Sequence, residues 1–429
     1  MRIFLALWSL LWTLGLPAIL LYLRRRARRD PDYGRHLSER FGRHPRAISG
    51  AVWVHAVSLG EVRSAVPLIR ALLDQSETVV VTHFTPAGRR ATMAAFAPEI
   101  AARRLAAVWV PFEFAFAYRR FFAAFRPKLG LVMEVEIWPR MVQAAADARV
   151  PLYMCNAGYP SKSLARDARL PLRPAVMRRF AGALVKSQLQ ADRFASVGVR
   201  NITVTGELRF DQPIPPAQVA AARIRVDLSG GRPVIAFASV VEGEDDIYLA
   251  AIEAALKRPD PPLVVYVPRK PERFDETAAL IAARGLSCQR RSQIFDENLT
   301  PLQIFDENLR PDVLLGDSLG EMYFYLALAD RVVTGGGFTP HGAHNIIEPL
   351  ALGKPVIVGP AIHTIEYPAA EAMAAGVCFH AKTPADLATA LSPQGWPGPS
   401  RDEIAAFLAA HSGATQKTLA AIAPLLTSR

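Results

Sequence analysis

Residues 51–61 read AVWVHAVSLGE. A β-branched and aromatic run over Ala51–Ser58 gives way at Gly60 to Glu61 and a helical pattern. Strand, glycine turn and helix in that order are the building unit of a parallel sheet covered on both faces. The same grammar spreads outward. Further β-rich runs lie at Thr78–Phe84, Val108–Pro111, Leu129–Glu136, Pro151–Ala157, Ala181–Ser187 and Ile202–Gly206, with helical patterns between most of them. A Pro/Gly-rich passage over residues 211–231 interrupts the alternation and reads as a linker. The pattern resumes at Pro233–Ser239, Leu263–Pro268, Val313–Gly316, Arg331–Gly335 and Pro355–Gly359 and ends in a helical stretch. The 429 residues exceed one ordinary core, so two α/β lobes are expected. The expected division is 47–210 for the first lobe, 232–400 for the second, and 401–429 for a C-terminal helix. A tandem copy, QIFDENL at Gln293–Leu299 and again at Gln303–Leu309, repeats only twice and reads as a loop duplication.

At the amino end, Ile3–Leu23 is uncharged and apolar, long enough to cross a hydrocarbon core of ~30 Å at ~1.5 Å per residue. Its positive charge follows the apolar run instead of preceding it, and no small-residue cleavage site appears, so a retained single-pass anchor is expected. Between Arg24 and Arg46, nine arginines stand against three acids, a local balance of +6 within a chain total of +11. This basic segment, residues 24–46, predicts a cytoplasmic catalytic portion and suits anionic lipid head groups, although fixing topology alone would account for it. The rest of the chain is only mildly basic and carries no nucleic-acid-binding motif. Three scattered cysteines, Cys155, Cys288 and Cys378, suit a reducing compartment.

In open parallel sheets, ligands bind beyond the carboxyl ends of the strands. The polar residues of this chain collect there. Glu61 starts a helix and suits a general base removing a hydroxyl proton; complementing the helix dipole is the competing account. Glu134 and Glu136 end an apolar strand at a spacing that puts both on one face, as acids assisting chemistry or as partners of a Lys or Arg. Arg269 and Lys270 end another strand and could meet a phosphate. Gly335-Gly336-Gly337-Phe338 opens a strand-to-helix turn that can bring backbone N–H groups against a phosphate, with Glu348 downstream for ribose hydroxyls. His341 and His344 invite a metal reading but lack a third ligand in sequence, and Asp245-Asp246 reads as a solvated helix face, so no metal is expected.

Taken in order, HAVSLGE (55–61), EVEIWP (134–139), GELRFD (206–211), VPRKPERF (267–274), GDSLGE (316–321) and PHGAHNIIEP (340–349) make the chain resemble the bacterial 3-deoxy-D-manno-octulosonic acid (Kdo) transferases of lipopolysaccharide synthesis. The similarity runs from the anchor to about residue 380. The resemblance implies a GT-B fold, two Rossmann-like lobes facing a cleft, at the cytoplasmic face of the bacterial inner membrane. It implies a CMP-Kdo donor, a lipid A precursor as acceptor, inversion at the anomeric carbon, and neither metal nor cofactor. Glu61 would be the base and Glu134 a second essential acid. Arg269, Lys270, Gly320, Glu321, Asn345 and Glu348 would line the CMP site, with Lys162, Arg166 and Arg169 as candidate contacts to acceptor phosphates.

The chain departs from the family pattern at four places. The usual Asn-Ala-Arg after the fifth strand is Asn156-Ala157-Gly158, followed by Tyr159. Ser-Thr-His before Glu-Gly-Glu becomes Ser239-Val240-Val241, the histidine after Pro-Arg is Lys270, and the proline after His-Asn is Ile346. These departures leave room for another activated sugar. A nucleotide-sugar epimerase on the same scaffold would need neither anchor nor basic strip. An inactive lipid-binding scaffold would not need Glu61, Glu134 and Glu348 together.

Overall fold

The computed structural model describes residues 2–224, 228–302 and 310–427. They form two compact units: the chain up to Gln212 together with the segment from His411 onward, and Pro213–Ala410. The second copy of the QIFDENL repeat lies outside the described residues.

The first unit holds a seven-stranded sheet: β1 (Val52–His55), β2 (Val79–His83), β3 (Leu105–Trp109), β4 (Leu129–Met133), β5 (Leu152–Ala157), β6 (Gly182–Val185) and β7 (Ile202–Val204). Their order is β3-β2-β1-β4-β5-β6-β7, and each neighbouring pair is parallel. Residues of β1 alternate between faces, which explains the unbroken apolar run. Trp53 packs with Phe121, Phe122 and Phe125 on one side. Val52 and Val54 pack on the other with Leu68, Ile69 and Leu72 of helix α2 (Leu59–Asp74) and with Leu419 and Ile422.

Those last two residues belong to the helix Ala414–Thr427, so the chain returns to the first unit at its end. The expected single helix over 401–429 is instead two, Arg401–His411 and Ala414–Thr427. Gly413 breaks them apart with φ of +83°, a conformation glycine adopts at no steric cost. Asp211 accepts the Gly413 N–H at 2.8 Å and the Thr415 N–H at 2.6 Å, capping the second helix.

Helix α1 (Arg2–Ala27) continues past the expected apolar span into the arginine run. One stripe packs on the first unit: Trp12, Leu16, Ile19, Leu20 and Leu23 meet Phe112, Phe114 and Ala117. Polar bonds join the same surfaces. The Trp8 indole donates to Glu113 at 2.9 Å, and Arg140 donates to Ser9 Oγ at 2.8 Å and to the Leu5 carbonyl at 2.6 Å. The other face leaves Ile3, Leu7, Leu10, Leu11, Leu14 and Leu21 exposed.

The second unit repeats the architecture with β8 (Val234–Val240), β9 (Leu263–Pro268), β10 (Cys288–Arg290), β11 (Val313–Leu315), β12 (Arg331–Thr334), β13 (Val356–Val358) and β14 (Cys378–His380). The order is β10-β11-β9-β8-β12-β13-β14, again parallel throughout. The edge strands β10 and β14 went unread in sequence because three residues are too few to establish a pattern. The β3 strand begins at Leu105, earlier than expected, because Leu105-Ala106-Ala107 reads equally well as helix. Asp245 is not solvated: it is buried and accepts from the Tyr266 hydroxyl at 2.8 Å and from Arg273 at 2.6 Å.

The chain reverses direction between β1 and β4 in the first sheet and between β8 and β12 in the second, in which β11 also returns to lie between β9 and β10. Loops leave such a reversal point in opposite directions and open a crevice at the strands' carboxyl ends.

Candidate active site

In the first unit, Glu61 follows β1 and Glu134 follows β4, so the two carboxylates flank the crevice. Ser58 caps α2: its hydroxyl accepts the Glu61 N–H at 3.3 Å and donates back to Glu61 Oε1 at 2.9 Å, while the Val57 N–H donates to Oε2 at 2.7 Å. This reciprocal arrangement fixes the carboxylate at the helix start. Burial raises its pKa to about 7, helped by the charges of Glu136 and Glu134 and opposed by the Val57 and Ser58 hydrogen bonds. The helix Pro86–Ala95 also packs against this turn. A Cβ on Gly88 would come within 3.1 Å of the Ser58 carbonyl carbon, a requirement sequence reading passed over.

Glu134 takes left-handed backbone torsions, φ +56°, uncommon for a residue with a side chain. The strand therefore ends at Met133, and Glu134 and Glu136 do not share a strand face as the i, i+2 spacing suggested. Their carboxylates go to different partners. Glu136 accepts the Trp138 indole N–H at 2.8 Å. Glu134 accepts from Lys186 Nζ at 2.9 and 3.0 Å and from Asn156 Nδ2 at 3.1 Å.

That network continues inward. Lys186 Nζ also lies 2.9 Å from Glu207, Asn156 Nδ2 donates to Glu207 at 2.8 Å, and Asn156 Oδ1 accepts the Leu208 N–H at 2.9 Å. Burial pushes the Glu207 pKa up, but Lys186, Arg209 and Asn156 outweigh it and hold it at about 2. Burial likewise disfavours charged Lys186, yet the two carboxylates leave its pKa raised. Sequence reading assigned no role to Lys186, Asn156 or Glu207. Glu207 lay inside the GELRFD motif, whereas Lys186 carried no signal of its own.

The histidines of this edge are structural. His55 and His83 are fully buried, and burial lowers both to about 3. Of the candidate basic contacts, Lys162, Arg166 and Arg169 are exposed on the helix Ser161–Arg169, with Arg166 bonded to Asp167 at 3.2 Å. The same buried Asp167 accepts from the Tyr159 hydroxyl at 2.9 Å and from Arg173 at 3.0 Å. Arg173 also donates to the Val135 carbonyl at 3.3 Å, tying this basic segment to the loop of Glu134.

In the second unit the glycine-rich turn differs from its expected use. Glu244, wholly buried, accepts the N–H groups of Gly336 at 2.7 Å, Phe338 at 3.0 Å and Val241 at 3.2 Å, and the Tyr248 hydroxyl at 2.8 Å. Two amides proposed for a phosphate are thus already taken by a carboxylate. The glycines serve close packing instead. A Cβ on Gly335 would stand 2.3 Å from the Ser239 carbonyl oxygen, and one on Gly337 2.5 Å from the Gly359 nitrogen.

Cationic side chains also stand at this crevice. Arg269 and Lys270 are exposed just beyond β9. Arg269 contacts His344 Nδ1 at 3.2 Å. A guanidinium can only donate, so His344 accepts there and carries its ring proton on Nε2; burial and the Arg269 charge lower its pKa to about 4. Asn345 accepts the Ile347 N–H at 2.9 Å, and Glu348 lies half-buried in the short helix that follows. Glu321 accepts from Arg291 and from Ser318, while the Gly320 carbonyl accepts from Gln218 at 2.9 Å. Among the described residues, no cluster of three or more His, Cys, Asp or Glu side chains is placed to hold a metal ion.

Residues 35–212 match the family described as 3-Deoxy-D-manno-octulosonic-acid transferase (kdotransferase). A 3-deoxy-D-manno-octulosonic acid transferase from Bordetella pertussis is 39% identical over 421 residues, covering 95% of this chain and 96% of that one. A transferase of the same name from Haemophilus influenzae is 29% identical over 363 residues, covering 82% and 81%. Among solved structures, a glycosyltransferase from Rickettsia africae matches with a TM-score of 0.57 at 12% identity, covering 89% of this chain and all of that one. UDP-GlcNAc 2-epimerase from Neisseria meningitidis matches with a TM-score of 0.54 at 14% identity, covering 88% and 100%. At such identities the likeness to these structures is one of fold alone, the two-lobed GT-B architecture.

Proposed function

The chain belongs to the 3-deoxy-D-manno-octulosonic acid (Kdo) transferase family, and from that premise we infer that it moves Kdo from CMP-Kdo to a lipid A precursor. It is a glycosyltransferase of lipopolysaccharide biosynthesis. In the proposed reaction an acceptor hydroxyl oxygen attacks the anomeric carbon of Kdo. The bond from that carbon to the CMP phosphate breaks, CMP departs with the electron pair, and the hydroxyl proton passes to a base, inverting the anomeric centre.

Glu61 is assigned as the base. The observation that carries this reading is the contrast across one crevice: Glu61 with its pKa raised to about 7, opposite Glu134 held by the Lys186 ammonium at 2.9 Å. Two carboxylates whose surroundings differ in this way can divide proton transfer from charge placement. Glu134 is assigned to orient the acceptor. Arg269 and Lys270 are assigned to the departing phosphate charge, without a metal, with Gly320, Glu321, Asn345 and Glu348 completing the CMP site by family correspondence.

The acceptor's acyl chains keep it in the bilayer, at ~0.8 kcal/mol per buried CH₂, so the enzyme works at the membrane. The exposed apolar face of α1 and the arginines beyond it support its assignment as a membrane anchor at the cytoplasmic face of the inner membrane, contacting anionic lipids.

Mass spectrometry of a lipid A precursor incubated with the enzyme and CMP-Kdo tests the reading. The acceptor should gain the mass of one or more Kdo residues, and Glu61→Gln should abolish the gain while CMP binding persists. An unchanged acceptor mass would overturn it. Gly158 and Lys270, which depart from the family pattern, favour one second reading, a different activated sugar; a panel of sugar nucleotides in the same assay separates the two.

A further inference from the structure

Gly158 lies directly after β5. The structure brings a cation to that spot. A Cβ built on Gly158 would lie 3.8 Å from both Cδ and Cε of Lys186 and 3.9 Å from its Nζ. Lys186 leaves the end of the neighbouring strand β6, and its side chain is only 12% exposed. Its ammonium lies 2.9 Å from Glu134 and 2.9 Å from Glu207. A side chain at position 158 would therefore start in van der Waals contact with this lysine, close enough for the guanidinium of a Gly158→Arg variant to reach the same carboxylates.

We propose that Lys186 is the positioning residue of the acidic side of the site, supplying from the end of β6 the cation that holds Glu134 in place beside Glu207. Two carboxylates, Glu134 and Glu207, converge beside Asn156. Without a cation between them they repel. Lys186 offsets that repulsion, helps hold the Glu207 pKa low and fixes the Glu134 carboxylate through two hydrogen bonds. Arg209 adds its charge on the Glu207 side, whereas Lys186 bonds both carboxylates at 2.9 Å. The inference rests on the proposed role of Glu134 at the acceptor.

Four full-length proteins test it: wild type, Lys186→Ala, Gly158→Arg, and the double variant. Lys186→Ala should lower kcat about a hundredfold, the scale of a misplaced reacting group, with KM for CMP-Kdo little changed. The double variant should recover at least about a tenth of wild-type turnover, because the guanidinium introduced by Gly158→Arg restores the charge. Thermal denaturation between pH 4 and 8 reads the same pairing without turnover: Lys186→Ala loses stability and the double variant regains it. Wild type forming no Kdo adduct would sink the transferase reading, while the denaturation series still judges the pairing. Full activity in Lys186→Ala would overturn the positioning role, and so would a double variant that regains neither turnover nor stability.

Discussion

The pH dependence of the reaction should report Glu61 directly, and Glu136→Gln should move it. Burial is the largest influence raising Glu61 to about 7, with the Glu136 charge a smaller contributor and the Val57 and Ser58 hydrogen bonds acting against both. A base must be ionised to accept a proton. With a pKa of about 7, about one-eleventh of the enzyme is competent at pH 6, about half at pH 7 and about ten-elevenths at pH 8. The logarithm of kcat/KM should therefore climb with unit slope below pH 7 and level off above it. Removing the Glu136 charge should shift this limb to lower pH, by less than about one unit because burial is the larger influence. The amide of glutamine still offers an oxygen to the Trp138 indole, so the loop should hold. Stability supplies a second, opposite sign. A carboxyl raised in the folded state contributes stability that is fully present below its unfolded value and is lost as pH rises through about 7. Glu61→Gln, permanently neutral and still able to accept the Val57 N–H, should thus be inactive yet no less stable than wild type above pH 7. If Glu61 merely complemented the helix dipole, that variant would remain active and lose ~0.5–1 kcal/mol. A kcat/KM profile flat from pH 5.5 to 8 would refute the base assignment.

Other perturbations follow from the same contacts. Glu244→Ala orphans three backbone N–H groups and one hydroxyl in the second unit; at ~1 kcal/mol or more each, a loss on the order of 4 kcal/mol and a melting point lower by roughly 10 °C are expected in differential scanning calorimetry. Asp211→Ala removes the cap on Gly413 and Thr415 and should cost roughly 1–2 kcal/mol, seen as faster hydrogen exchange in the helix Ala414–Thr427. Trp8→Phe keeps the packing of α1 and gives up one indole hydrogen bond, worth about 1 kcal/mol. Glu113→Ala should be more damaging under limited proteolysis of α1, because Glu113 also accepts the Arg140 and Met141 N–H groups at 2.8 and 3.1 Å.

The parallel architecture was legible because strands buried on both faces leave unbroken apolar runs, as in Val79–Val81 and Leu129–Met133. The place of Glu61 at the start of α2 was legible as well, since a glycine turn after an apolar strand opens a helix, but its capping pair with Ser58 went unread. Lys186 was not: it meets Glu134 across 52 residues of chain, and nothing local marks a lysine that will pair across neighbouring strand ends. Glu134 misled for a related reason. Its alternation with Glu136 is a strand pattern, but the chain turns left-handed at that residue, and hydrophobic periodicity carries no information about one backbone torsion.

The two reversal points show how one topology supports different chemistry. In the first unit the crevice between β1 and β4 holds Glu61 and Glu134, and a buried lysine balances part of their charge. In the second, the crevice between β8 and β12 is bridged by Glu244, which ties the loop after one strand to the loop after the other. That bridge makes the glycine-rich turn rigid and consumes two of the amides that would otherwise attract a phosphate. In the proposed reaction, side chains at the edge of the bridge meet the anionic leaving group. Arg269 and Lys270 are placed there, with His344 kept neutral and pressed against Arg269. A neutral imidazole orients the guanidinium without reducing its charge, as a carboxylate partner would. The positive charge of Arg269 therefore remains available to a phosphate, and its direction is set before the phosphate arrives.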